Sequence, residues 1–218
     1  NPILVNWAYT VSKDNKIIVT ATYDLPQVVS KLVLNYELSG NGELSVKEEL
    51  NIDKTKEQPM LPRFGMEIIV PKDFSNMTYY GRGPHENYID RNYSSQVGLY
   101  TQTVSQQFYP YIRPQETGNK TDIRWVELAN DKLKLTVKSD DMLSITALHY
   151  LNEDLDDGLK KDQRHAAELK ERDLTSFKID YKQMGVGGID SWQAWPMKKY
   201  LMQDKNYQYQ FKITPSLK

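Results

Sequence analysis

Tyr207-Gln208-Tyr209-Gln210-Phe211-Lys212-Ile213 decides the fold class. Apolar or aromatic residues hold every odd position and polar residues every even one. Side chains on a strand point to opposite faces in turn, so this run is a half-buried β-strand with one face in a core and one in water. A helix would scatter the same residues around its axis.

The pattern recurs along the chain. Ile17, Val19, Ala21 and Tyr23 alternate with Ile18, Thr20 and Thr22, and Leu133, Leu135 and Val137 alternate with Lys132, Lys134 and Lys138. Weaker strands are expected at Val33 to Leu38, Glu43 to Leu50, Gly65 to Val70 and Ile123 to Leu128. The 15 tyrosines favour strands as well. Asp14-Asn15, Ser39-Gly40-Asn41-Gly42 and Asn130-Asp131 are turn signals between the runs. Many short strands joined by local turns predict an all-β sandwich or barrel. One stretch differs. Leu151, Leu155 and Leu159 recur at helical spacing with acids between them, which predicts a short amphipathic helix. The charge-rich segment from Lys160 to Asp173 reads as a surface turn or a second short helix. No repeat or interdomain linker is evident, so residues 1–218 read as one domain, with about the first 14 offered as the tail of an upstream linker.

Composition narrows the classes. Charged residues make up 26% and hydrophobic residues 39% of the 218, as in a globular domain. A formal net charge of -1 gives no electrostatic case for nucleic acid or an anionic membrane as partner. There is no cysteine, hence no disulfide or thiolate metal site, and the compartment stays open. No apolar run approaches the roughly 20 residues of a membrane-spanning helix. The chain starts Asn1-Pro2-Ile3-Leu4-Val5, without a start Met or a signal pattern, and is expected to be a piece of a longer protein.

Gly185-Val186-Gly187-Gly188-Ile189-Asp190-Ser191-Trp192 is the stretch richest in functional signal. Glycines let a backbone turn sharply or approach a ligand closely. A tryptophan held by such a loop offers a broad apolar face that suits the C–H face of a sugar. The plainer reading is a core anchor, since large apolar side chains are mostly buried. Trp195 follows, with packing as its default role.

Gly81-Arg82-Gly83-Pro84-His85-Glu86-Asn87-Tyr88-Ile89-Asp90-Arg91 resembles the G-x-G-P-x-E-N-Y-x-D-R run in the C-terminal domain of family 2 β-galactosidases. Three further blocks follow the family's pattern: Leu61-Pro62-Arg63-Phe64-Gly65-Met66, Pro110-Tyr111-Ile112-Arg113-Pro114-Gln115-Glu116-Thr117-Gly118, and the Gly185 to Trp192 loop. The resemblance spans about Asn15 to Ile213. It implies a large antiparallel supersandwich similar to galactose mutarotase, fused behind a catalytic barrel. It also implies that Trp192 reaches the active-site mouth and stacks on the sugar, with Gly188, Asp190 and Ser191 shaping its loop. Where the family often has a second acid, Ile189 stands here, which puts the loop's polar contacts in doubt. The acid/base and nucleophile glutamates, and the magnesium and sodium ligands, are implied to lie in the upstream barrel. The expected partners are a β-galactoside and the upstream domains, with a homo-oligomer open for the intact enzyme.

Other chemistry finds little support. His85, Glu86, Asp90 and Arg91 crowd together, and a histidine oriented by a carboxylate is a recognised acid–base device. The family carries Gln as often as His at the position of His85, so Arg82, Glu86, Asn87, Asp90 and Arg91 read instead as a structural polar network. His85, His149 and His165 lack the spacing of a zinc site, so no metal is assigned. Gly81-Arg82-Gly83 is no dinucleotide fingerprint, Gly185 to Gly188 lacks the Lys-Ser/Thr of a phosphate loop, and no Gly-x-Ser-x-Gly elbow occurs. The expectation is therefore a domain without catalytic residues of its own, belonging to a retaining β-galactosidase. The alternatives are a non-catalytic carbohydrate-binding or structural module of another family 2 enzyme, and an aldose 1-epimerase. The epimerase would need a His and a Glu in one cleft, and His165 with Glu168 is the pair available.

Overall fold

In the computed structural model the alternation of Tyr207 to Ile213 is realised residue by residue: Tyr207, Tyr209, Phe211 and Ile213 are buried and Gln208, Gln210 and Lys212 exposed. The structure describes residues 2–53, 55, 57, 59–156, 158, 165–188, 190, 194–204 and 206–218. These contain eleven strands: β1 (Ile3–Val11), β2 (Ile17–Leu25), β3 (Ser30–Leu38), β4 (Leu44–Ile52), β5 (Arg63–Val70), β6 (Asn76–Gly83), β7 (Gln96–Thr103), β8 (Lys120–Ala129), β9 (Leu133–Leu148), β10 (Thr175–Gln183) and β11 (Asn206–Leu217). All pairings are antiparallel, in the order β1-β2-β3-β4-β11-β9-β8-β6-β7, with β10 branching from β9 to pair with β5.

The branch makes the sandwich. β9 is 16 residues long. Its first part, Leu133 to Lys138, pairs with β11, and its last part, Ser144 to Leu148, pairs with β10. The β5–β10 pair thereby folds back over β4 and β11. The Phe64 ring lies 5.7 Å from that of Tyr207 and 5.5 Å from that of Tyr209, and the Tyr209 hydroxyl donates to the carbonyl of Ile179 on β10 at 2.8 Å. Between these layers sits one apolar core, including Val46, Leu50, Met77, Val126, Val137, Phe177 and Phe211. A satellite of Leu148, Tyr150 and Leu155, with Phe108 and Leu169 against it, anchors the surface segments.

The sequence signals meet the structure unevenly. Each strand expected from alternation is present. Asn15 and Gly42 carry positive φ in the turns that join β1 to β2 and β3 to β4. Strands β1, β6, β7 and β10 were not expected. Residues 3–11, offered as part of a linker tail, form the edge strand β1, exposed along its length. The expected helix is a single turn, α1 (Asn152–Leu155), in which the Asp154 carboxylate accepts from the Leu151 backbone N–H at 2.8 Å. Asp157 and Leu159 to Arg164 lie outside the described residues. Beyond them a 3-10 turn covers Ala166–Glu168. No helix among the described residues is long and apolar enough to cross a membrane.

Candidate functional site

The four blocks quoted from the sequence are far apart along the chain, and the fold brings them to one rim of the sandwich. The first, Leu61 to Met66, opens β5. Arg63 there donates to the Asp180 carboxylate across the ladder on β10 at 2.6 Å, to Glu116 of the third block at 3.3 Å, and to the Gln183 side-chain oxygen at 3.4 Å. Asp180 is buried, and burial, partly offset by Arg63, pushes its carboxyl up to about 6.

The second block runs off the end of β6. Glu86 is the hub between it and the third block. Its carboxylate accepts from the Tyr111 hydroxyl, from the Gly118 backbone N–H at 2.7 Å, from Thr117 at 3.1 Å and from Arg91 at 2.8 Å. Burial alone would raise its pKa, but these donors together hold it below the ordinary carboxylate value. Asn87 is wholly buried and ties the chain leaving β6 to the start of β8. Its amide nitrogen donates to the carbonyls of Arg82 and His85, and its oxygen accepts from the backbone and hydroxyl of Thr121. Arg82 pairs with Asp122 at 2.5 Å and donates to the Ser95 carbonyl at 2.9 Å. Asp90 faces the fourth block and pairs with no arginine among the described residues: its Oδ2 accepts from the Gly187 backbone N–H at 2.7 Å.

That contact decides how the glycine loop lies. A methyl on Gly185 would come within 2.5 Å of the same Asp90 oxygen, so only glycine permits the approach. Gly185 N–H also donates to the Tyr200 carbonyl and Met184 N–H to the Pro62 carbonyl, joining the loop to the first block. At Gly188 a methyl would run into the Ala194 carbonyl oxygen, because the loop doubles back there. Gly188 and Asp190 are exposed. Ile189, Ser191, Trp192 and Gln193 lie outside the described residues, so the platform expected at Trp192 and the contact expected at Ser191 fall there.

The returning arm of the loop forms a wall of a cleft of about 520 Å³, whose lining includes Arg63, Glu116, Asn152, Gln183, Gly188 and Trp195. Trp195, for which packing was the default reading, is 60% exposed in this chain. Arg63 and Glu116 were visible only as members of their blocks. A larger hollow, about 660 Å³, lies between Asp24–Lys31 and Asn51–Asp53, and no residue of the four blocks lines it. Among the described residues no three His, Asp or Glu side chains gather closely enough to hold a metal ion. His149 is buried with its ring against the Leu174 carbonyl, while His85 and His165 are exposed.

Residues 3–213 match the family model of the β-galactosidase small chain. The chain belongs to this family. A β-galactosidase of Priestia megaterium is 34% identical over 201 residues, covering 91% of this chain and 19% of that protein. A β-galactosidase of Lactobacillus delbrueckii subsp. bulgaricus is 35% identical over 183 residues, covering 83% of this chain and 17% of that protein. The small-chain sequence here thus spans about a fifth of the length of these relatives. Among solved structures, galactose 1-epimerase from Lactobacillus acidophilus superposes with a TM-score of 0.54 at 9% identity, covering 97% of this chain and 66% of that one. At that identity the likeness is one of fold, and it makes the small-chain domain a mutarotase-like sandwich.

Proposed function

We propose that this chain is the C-terminal sandwich of a retaining β-galactosidase, where it caps the active site of a preceding barrel and lends Trp192 to galactoside binding. The two glutamates that cleave the bond, and the magnesium and sodium sites, are assigned to that barrel. The observation that carries the reading is the Asp90–Gly187 bond: a block with no apparent chemistry of its own anchors the loop on which Trp192 follows. The carboxylates nearest the cleft support a binding role over a hydrolytic one, because Asp180 and Glu116 both lie on the Arg63 guanidinium.

The epimerase reading draws on the fold likeness and needs a histidine and a carboxylate converging on one sugar. His165 and Glu168 do meet, but the Glu168 carboxylate accepts from the His165 backbone N–H at 2.6 Å as a cap on an exposed turn. The experiment is Trp192→Ala in the intact protein. A lost aromatic platform costs about tenfold in KM, by analogy with aromatic stacking of bases, with the melting temperature held. A fall of many degrees in melting temperature with KM unchanged would make Trp192 a core anchor and end the platform reading. An intact protein that turns over no β-galactoside would favour a non-catalytic module.

A further inference from the structure

The cleft beside the glycine loop is built like a sugar site around a residue with no assigned role. Trp195 stands 60% exposed on its wall, although a tryptophan is among the most costly side chains to leave in water. The cleft volume, about 520 Å³, is in the range of small-molecule sites. Its lining is largely apolar and includes Pro62, Met184 and Pro196; Arg63, Glu116, Gln183 and Asn152 supply its polar groups, and the Lys178 ammonium donates to Asn152 Oδ1 at 2.6 Å.

From this we infer that Trp195 is a second sugar-binding residue, stacking on the C–H face of a neutral pyranose whose hydroxyls meet the Arg63–Glu116 pair. An exposed indole sharing a cleft with amide, carboxylate and guanidinium groups matches a ring with one apolar face and a hydroxylated rim. Charge selects the neutral sugar: the cations Arg63 and Lys178 are balanced by Asp180 and Glu116, leaving no net positive field for a uronate. The inference rests on the β-galactosidase reading only for the class of ligand, and its geometry is independent of Trp192.

The test is calorimetric titration of the intact protein with D-galactose, D-glucose and D-galacturonate, comparing wild type with Trp195→Ala, Trp195→Phe and Trp192→Ala. Trp195→Ala is expected to weaken binding of at least one neutral hexose about tenfold at unchanged melting temperature. Trp195→Phe should recover most of that affinity, and galacturonate should bind more weakly than either hexose. Wild-type affinity in Trp195→Ala overturns the inference, and so does a Trp195→Ala protein that melts much earlier but binds normally when folded. Loss in Trp192→Ala alone overturns it while leaving the platform reading intact. Loss in Trp195→Ala alone upholds it and removes the platform from Trp192.

Discussion

Glu48→Gln should stabilise this protein in alkaline solution and do little in acid. Glu48 lies on β4 between Val46 and Leu50, on the face that packs into the core, and is 3% exposed. Its carboxylate accepts from the Tyr209 hydroxyl at 3.0 Å, and among the described residues no basic side chain pairs with it. Burial therefore pushes its pKa from 4.5 up to about 7, with the Tyr209 bond opposing and Asp180 adding to the rise. The folded-state value lies above that of the unfolded chain, so folding favours the protonated form. Stability from this group is complete below pH 4.5 and is lost as the pH rises through 7. The difference amounts to roughly 3 kcal/mol at pH 8, at about 1.4 kcal/mol per unit.

Glutamine keeps the acceptor for Tyr209 and never ionises. The variant should match wild type within about 1 kcal/mol at pH 5, since protonated Glu and Gln pose similar demands on a buried site. At pH 8 it should be ahead by about 2–3 kcal/mol. For a domain of this size that is a rise of about 4–10 °C in melting temperature. Thermal unfolding of both proteins at pH 5 and pH 8 measures the four values needed, and the difference of differences removes any pH-independent packing effect. An advantage of equal size at both pH values, or none at pH 8, would refute the reasoning and mean that Glu48 reaches water in solution.

Two further outcomes follow from the rim. Glu86→Gln keeps one oxygen where the carboxylate uses two, Oε1 for Tyr111 and Arg91 and Oε2 for Thr117 and Gly118, and it also loses the charge paired with Arg91; it should cost roughly 1–3 kcal/mol at pH 7. Because the folded pKa of Glu86 is lowered, that cost should shrink as the pH falls below 4.5 and through the folded value, which denaturant titrations at pH 3.5 and pH 7 would show. Asp90→Ala should free the Gly187 amide, speeding its hydrogen exchange at a global cost of about 1 kcal/mol, while Asp90→Asn, which keeps an acceptor, should restore protection.

Alternation made the fold class legible, and it did so where one face of a strand is wet. β11 and β2 carry that pattern because they have a solvent side. β10 does not: Thr175, Ser176, Phe177, Lys178, Ile179 and Asp180 are all buried, since one face meets the core and the other carries the polar groups around Arg63. A buried Lys and Asp in a strand look, in sequence, like a solvated segment. β6 was masked in another way, its end being read as the block Gly81 to Gly83. The helix at Leu151 was overextended because spacing alone cannot see that α1 ends after a single turn, at Asp156. The site divides along the same line. The blocks were readable as blocks, but the pairings Arg63–Glu116, Glu86–Tyr111 and Asp90–Gly187 join residues 53, 25 and 97 positions apart, and no local pattern encodes such distances. Trp195 stayed hidden because no local pattern of the sequence encodes whether a single tryptophan is buried.

The rim network is larger than the sandwich needs for stability. The apolar core already runs through both layers, and buried ion pairs add little to stability because desolvation offsets their attraction. What charge-assisted and amide hydrogen bonds supply is direction. Glu86 receives donors from three segments, Asn87 clamps the chain before and after it, and Asp90 carries that fixed frame to the glycine loop. The loop is thereby referenced to the Asp90 frame, as well as to Pro62 and Tyr200 through its first backbone amides. A domain that had only to pack would gain nothing from this arrangement. A domain that must present an aromatic side chain to a sugar held elsewhere needs its loop placed to within a fraction of an ångström, and directional bonds from a rigid rim achieve that. The proposed division of labour, with bond cleavage in the barrel and placement of the sugar from the sandwich, is the one under which the cost of burying this network has a use.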